Sequence, residues 1–223
     1  MRSKQSGFTL VEIAIVLVII GLLLGGVLKG QELINSAKVK NFAQDFRTMQ
    51  ILIYGYQDKY RAIPGDDAAA VTHLGAANGP AQAANATGQI VGDGRIDGNW
   101  DDTTAATSES FYFWQHVRLA GLATGTTDIA STDYPPKNAD GGRIGVESGG
   151  RALTMIKNLT GTHVMCSTGI LGRYVRTLDT LLDDGLTDSG SVRAIKATDA
   201  RNTDAVKTSL VADGDTYTVC MAL

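Results

Sequence analysis

The chain has 223 residues, 43% hydrophobic and 19% charged, enough for one domain of ordinary size with an appendage and a substantial core. Twenty-six glycines against four prolines point to flexible turns rather than a proline-stiffened linker. A formal net charge of -3 leaves no basic footprint, which argues against nucleic acid as a specific ligand.

The first element is an apolar run from Phe8 to Leu28 holding one charged side chain, Glu12. A carboxylate at membrane depth costs roughly 2.5–3.5 kcal/mol on insertion scales, so it needs a partner. A secretory signal peptide would have a shorter apolar core followed by a small-x-small cleavage site; here the run passes into GQELINSAKVKNF. An ordinary anchor has the necessary ~20 apolar residues but no use for Glu12. Arg2 and Lys4 precede the run with no acid among the first seven residues, so the N-terminus is expected in the cytoplasm and everything after Leu28 across the membrane.

The segment KQSGFTLVEI and the apolar run behind it resemble the type IV prepilin signature: a short basic leader ending in glycine, an aromatic residue, and glutamate four positions on. The resemblance implies a leader over residues 1–7, cleavage between Gly7 and Phe8 by a prepilin peptidase, and N-methylation of Phe8. It also supplies a partner for Glu12. The new amine of Phe8 is a cation one helical turn away, and in the filaments of that family the carboxylate attracts the amine of a neighbouring subunit.

After Gly30 the pattern becomes amphipathic. Phe42, Phe46, Met49, Ile53, Tyr56 and Tyr60 follow steps of four and three, one stripe of a helix. The expected divisions are a transmembrane and assembly half over 8–28, an amphipathic half over 29–62 and a globular part over 63–223. A continuous helix to Tyr60 would be on the order of 80 Å long, with Pro64 consistent with its stop. Many type IV pilins have a proline in the upper part of this helix; residues 20–40 have Gly21, Gly25, Gly26 and Gly30 instead.

From Pro64 to Ser108 the sequence is polar and poor in periodicity, and GAANGPAQAANATGQ within it reads as a surface excursion. Within it GDGRIDGNWDD offers Asp93, Asp97 and Asp101 as hard oxygen ligands for calcium, or as solvated acids in a glycine-rich turn. The EF-hand pattern is absent, as is the G-x-G-x-x-G spacing. SESFYFWQHVRLAGL predicts a short helix laid on the domain, capped by Ser108 or Ser110. His116 on it, like His73 and His163, has no triad partner in sequence and is expected to be satisfied or exposed.

RIGVE, THVMC, SVRAI and DTYTVCMAL are predicted strands, and ILGRYVRTLDTLLDDG a helix ending at Gly185. Cys166 and Cys220 lie in the translocated part, where a disulfide is expected; His163 with Cys166 lacks the ligands for a zinc site. The order of elements predicts an α+β fold: a long N-terminal helix, transmembrane then amphipathic, packed on a small antiparallel sheet. That is the pilin fold implied by the resemblance.

No G-x-S-x-G, H-E-x-x-H or comparable constellation occurs, so a membrane-anchored periplasmic enzyme or binding domain is the weakest reading, and the expectation is no enzyme and no cofactor beyond calcium. The resemblance implies a structural subunit of a type IV pilus-like filament, minor or specialised, with a type II secretion pseudopilin as the alternative. Its implied partners are other pilin subunits, the peptidase and an inner-membrane assembly platform. The implied location is the bacterial inner membrane with the globular part in the periplasm, followed by incorporation into a filament.

Overall fold

The computed structural model describes residues 9–75, 90–103, 108–150 and 154–223. Helix α1 spans Leu10–Tyr60, and the chain divides between Lys38 and Val39 into two compact units. In the first, no residue from Leu10 to Leu28 is buried, and the four glycines lie within α1 without interrupting it. In the second, α1 contributes Val39, Phe42, Ala43, Phe46, Met49, Leu52, Ile53 and Tyr56 to the core. Those positions fill about two neighbouring rows of a 3.6-residue helix, so the buried face is wider than the single stripe that the aromatic spacing predicts. Leu33 and Ile34 remain about 60% exposed. Helix α1 ends without a glycine: Arg61 takes the left-handed conformation at φ 57°, its N–H bonded to the Gln57 carbonyl.

Four strands follow, β1 (Ile144–Ser148), β2 (His163–Leu171), β3 (Val192–Lys196) and β4 (Thr216–Ala222). They form one antiparallel sheet in the order β1-β2-β4-β3. All four predicted strand segments are therefore present, and the α+β class holds. Helices α2 (Ala70–Leu74), α3 (Glu109–Leu119) and α4 (Gly172–Leu182) complete the unit. Ile170 and Leu171, read from sequence as the start of a helix, instead finish β2, because a bulge between Ser167 and Ile170 carries the strand past Gly169, at φ 76°.

The sheet is covered on both faces. Val146, Met165, Tyr217, Val219, Met221, Val192 and Ala194 join the core built on α1, α3 and α4. Val164, Cys166, Ile195 and Cys220 face the other way and pack with Trp100, Met155, Ile156 and Leu159. Alternation along β2 and β4 assigns each residue its face.

Two stretches are more buried than their sequence suggests. The polar 64–108 segment is not exposed throughout: Asp66, Asp67, Ala70, Ile96 and Trp100 are all buried. Polarity misleads here because the buried acids accept hydrogen bonds from loop N–H groups, which offsets their desolvation. Most of GAANGPAQAANATGQ lies outside the described residues. Nor is α3 merely laid on the domain, since every residue from Glu109 to Val117 is buried. Its Ser108 cap accepts from the Phe111 N–H at 3.3 Å, and Tyr134 donates its hydroxyl to the Phe111 carbonyl.

Candidate functional site at the N-terminal helix

The start of α1 is built as a reciprocal cap. Thr9 donates both its N–H and its hydroxyl to one oxygen of Glu12, at 2.8 and 2.7 Å, while its Oγ1 lies 3.3 Å from the Glu12 N–H. This is the S/T-x-x-E/Q arrangement in which two end-of-helix donors are satisfied at once. The charge of Glu12 alone does not announce this cap; the T-L-V-E spacing is its signal in the sequence.

Glu12 accordingly faces outward on a segment whose side chains are apolar and exposed, among them Leu10, Val11, Ile15, Val18 and Leu22. Among the described residues α1 is long and apolar enough, by length and composition, to cross a membrane. Gly7 and Phe8, the expected cleavage pair, lie outside the described residues.

A family model described as the prokaryotic N-terminal methylation motif matches residues 2–28. The chain carries a prepilin-type N-terminus. That motif is consistent with a type IV pilin-like protein and supports a subunit of the pilin or pseudopilin type. It implies, in general terms, processing by prepilin peptidase and assembly with other pilin subunits. Together with the apolar helix it points to a membrane-anchored protein. No curated protein matches the chain.

The remaining sequence candidates fall in the second unit. Cys166 and Cys220 form a disulfide between directly opposed residues of β2 and β4, and both are fully buried. Asp93 Oδ1 accepts from the Arg95 N–H at 3.0 Å, the Asp97 N–H donates to Glu109 Oε2 at 2.7 Å, and Asp101 pairs with Arg201 at 3.2 Å. Among the described residues no group of three or more His, Cys, Asp or Glu side chains is arranged to hold a metal ion.

The three histidines have separate environments. His116 is fully buried, accepts from the Gly65 N–H at 2.9 Å and stacks on Tyr56. His163 is buried with Nδ1 unpaired among the described residues, and burial holds its pKa down, which favours the neutral ring. His73 has a partner that its sequence neighbourhood did not reveal. Its Nδ1 lies 2.7 Å from Asp67 Oδ2, which also accepts the Tyr56 hydroxyl at 2.7 Å. This Tyr–Asp–His network borders a cavity of about 640 Å³ with Tyr60, Asp66 and Gly92 in its lining. It docks α2 against the end of α1, with His73 stacked on Tyr60 at 5.1 Å.

Proposed function

We propose that this chain is a structural subunit, a minor or specialised pilin, of a type IV pilus-like filament. In this reading the peptidase cuts after Gly7 on the cytoplasmic side of the inner membrane and Phe8 is N-methylated. The globular domain stands in the periplasm until the subunit leaves the bilayer. The single observation that supports this best is Glu12 at the third position of an apolar helix inside a methylation motif. A carboxylate at that depth is costly for a simple anchor, and it becomes useful once a methylated amine from a neighbouring subunit can meet it.

The function proposed is polymerisation, not catalysis. An assembly platform in the inner membrane and other pilin subunits are its partners. After cleavage Thr9 remains in the mature chain, so the cap that orients Glu12 survives processing. The carboxylate can then be held by Thr9 before assembly and contacted by an incoming amine during it.

The same motif serves secretion pseudopilins, and the physiological test separates the two. Deleting the gene and scoring surface pili and protein secretion side by side is expected to reduce pili and leave secretion intact. Loss of secretion with normal piliation would instead assign the chain to a pseudopilin role.

A further inference from the structure

Helix α1 carries a second stripe within the second unit. Lys40, Gln44, Arg47, Ile51, Tyr54 and Asp58 recur in steps of four and three, each two positions before a member of the aromatic row, and all six are exposed. Ile51 and Tyr54 in its middle are 64% and 62% exposed, with Lys40 and Arg47 before them and Asp58 after. A tyrosine and an isoleucine beside an arginine on one helix face have the composition of a protein interface rather than of a solvated surface.

A second apolar patch lies where α4 gives way to the loop before β3. Gly185, φ 84°, folds back on α4, so that a Cβ there would meet Thr180 Oγ1 at 3.2 Å. Thr187 ties the same loop to the 206–208 segment: its N–H donates to Thr208 Oγ1 at 2.8 Å and its hydroxyl to the Val206 carbonyl at 2.7 Å. These contacts bring together the segments of Leu181, Leu186 and Leu210, which are 45%, 51% and 65% exposed among the described residues. Leu182 and Val206 in the same segments are half-buried against the core, so the patch is fixed to it. The stretch from Thr177 to Val192 exposes Asp183, Asp184 and Asp188 and has no basic residue, while the exposed Lys207 stands on the adjoining segment.

We propose that the leucine patch of one copy of this chain docks on the Ile51 and Tyr54 stripe of a second copy. Charge selects this pairing. The acids beside the patch are matched by Lys40 and Arg47, and Lys207 by Asp58, whereas patch on patch sets acid against acid. The two surfaces differ, so the contact is heterologous and leaves one of each open at the ends of an assembly, the arrangement that builds a filament and not a closed two-fold dimer. Three leucines against two large side chains fall short of the roughly 1,000 Å² of a free-standing interface. The contact therefore acts once the N-terminal helices hold the copies side by side, where the second binding event is intramolecular. It rests on the filament reading and adds to it which faces of neighbouring subunits meet.

The test replaces Tyr54 with the photo-crosslinking p-benzoylphenylalanine in the full-length chain, irradiates sheared filaments, and sequences the reduced, trypsin-digested dimer band. The crosslink is expected on the peptide Thr177–Arg193 or the peptide Thr208–Leu223 of the second copy. A crosslink to any other peptide, Tyr54's own included, to a different protein, or no crosslinked dimer at all overturns the proposal. A charge swap reads the same contact without the probe. Arg47→Asp is expected to lower the yield of sheared filaments about fivefold at an unchanged level of subunit in the membrane, and Asp188→Lys in the same chain to recover most of that loss. Wild-type yield from Arg47→Asp, or a double variant no better than Arg47→Asp alone, overturns the pairing. Filaments that form but crosslink elsewhere remove only these docking faces, whereas an unsubstituted chain that enters no filament overturns the filament reading and this contact with it.

Discussion

The Glu12 carboxylate is hydrogen-bonded to Thr9 through both the N–H and the hydroxyl of that residue, so the one acid of the apolar segment closes the first turn of α1. The observed cap and the proposed assembly contact thus fall on one side chain, and substitution separates them. Glutamine also serves at the third position of a capping box, so Glu12→Gln keeps the cap and removes only the charge. Membrane insertion and cleavage are expected to proceed normally in that variant, with sheared filaments reduced at least tenfold. Wild-type filament yield from Glu12→Gln would leave the carboxylate as a cap and nothing more. Thr9→Val is the converse, costing the helix end about 1 kcal/mol while preserving the charge.

Cys166 and Cys220 close a separation of 54 residues between paired strands. The chain-entropy model gives such a loop roughly 4 kcal/mol, of which engineered and native bridges commonly deliver about 2–4. The double variant Cys166→Ser/Cys220→Ser is expected to melt about 5–15 °C below the oxidised protein, and reductant is expected to lower the midpoint of the latter only. Equal midpoints would show that β2 and β4 are held by packing alone.

Asp179 on α4 is almost fully buried, and among the described residues neither of its oxygens finds a hydrogen-bond donor in good geometry. Burial pushes its carboxyl up to about 6, with repulsion from Asp184 and Asp183 adding to it and the Gly185 and Leu186 N–H groups pulling the other way. The folded state therefore holds a proton that the unfolded state releases near pH 4, and stability falls as pH rises from about 4 to about 7. The loss is on the order of 2 kcal/mol. His163 acts in the opposite sense, since its depressed pKa favours the fold above pH 6.5. Asp179→Asn is expected to remove the acid-stabilised component, read as a flatter dependence of the denaturant midpoint between pH 4 and 7. An unchanged slope would show that the carboxyl ionises freely.

Gly145 in β1 faces the backbone of the 100 loop, where a Cβ would fall within 1.9 Å of the Trp100 carbonyl oxygen. Gly145→Ala must push that loop away from the sheet, and the expected loss lies toward the upper end of the ~1–3 kcal/mol typical of overpacking. Trp100 fluorescence is expected to shift to longer wavelength as the ring loses its cover. An alanine variant with native stability and emission would refute the close packing.

Helices α1, α3 and α4 and the four strands were legible because their signals are periodic and local, whereas the five-residue α2 is too short to carry one. The four-three spacing from Phe42 to Tyr60 marked α1, and the runs around Val146, Val164, Ala194 and Val219 marked the sheet. The methylation motif over residues 2–28 was legible for the same reason, since the residues that carry it are neighbours in sequence. What was missed depends on contacts across the chain. Asp66 and Asp67 look like solvated loop acids until Gly92, Gly94, Tyr56 and His73 are brought to them. Likewise α3 looks amphipathic at best, and only the loops folded around it make Glu109 and His116 interior residues.

Mass spectrometry of the N-terminus of the protein isolated from its native membrane bears most directly on the central claim. A chain beginning at Phe8, with one methyl group on its amine, is the predicted result. A chain beginning at Met1, or one cut after Leu28, would contradict the filament-subunit account.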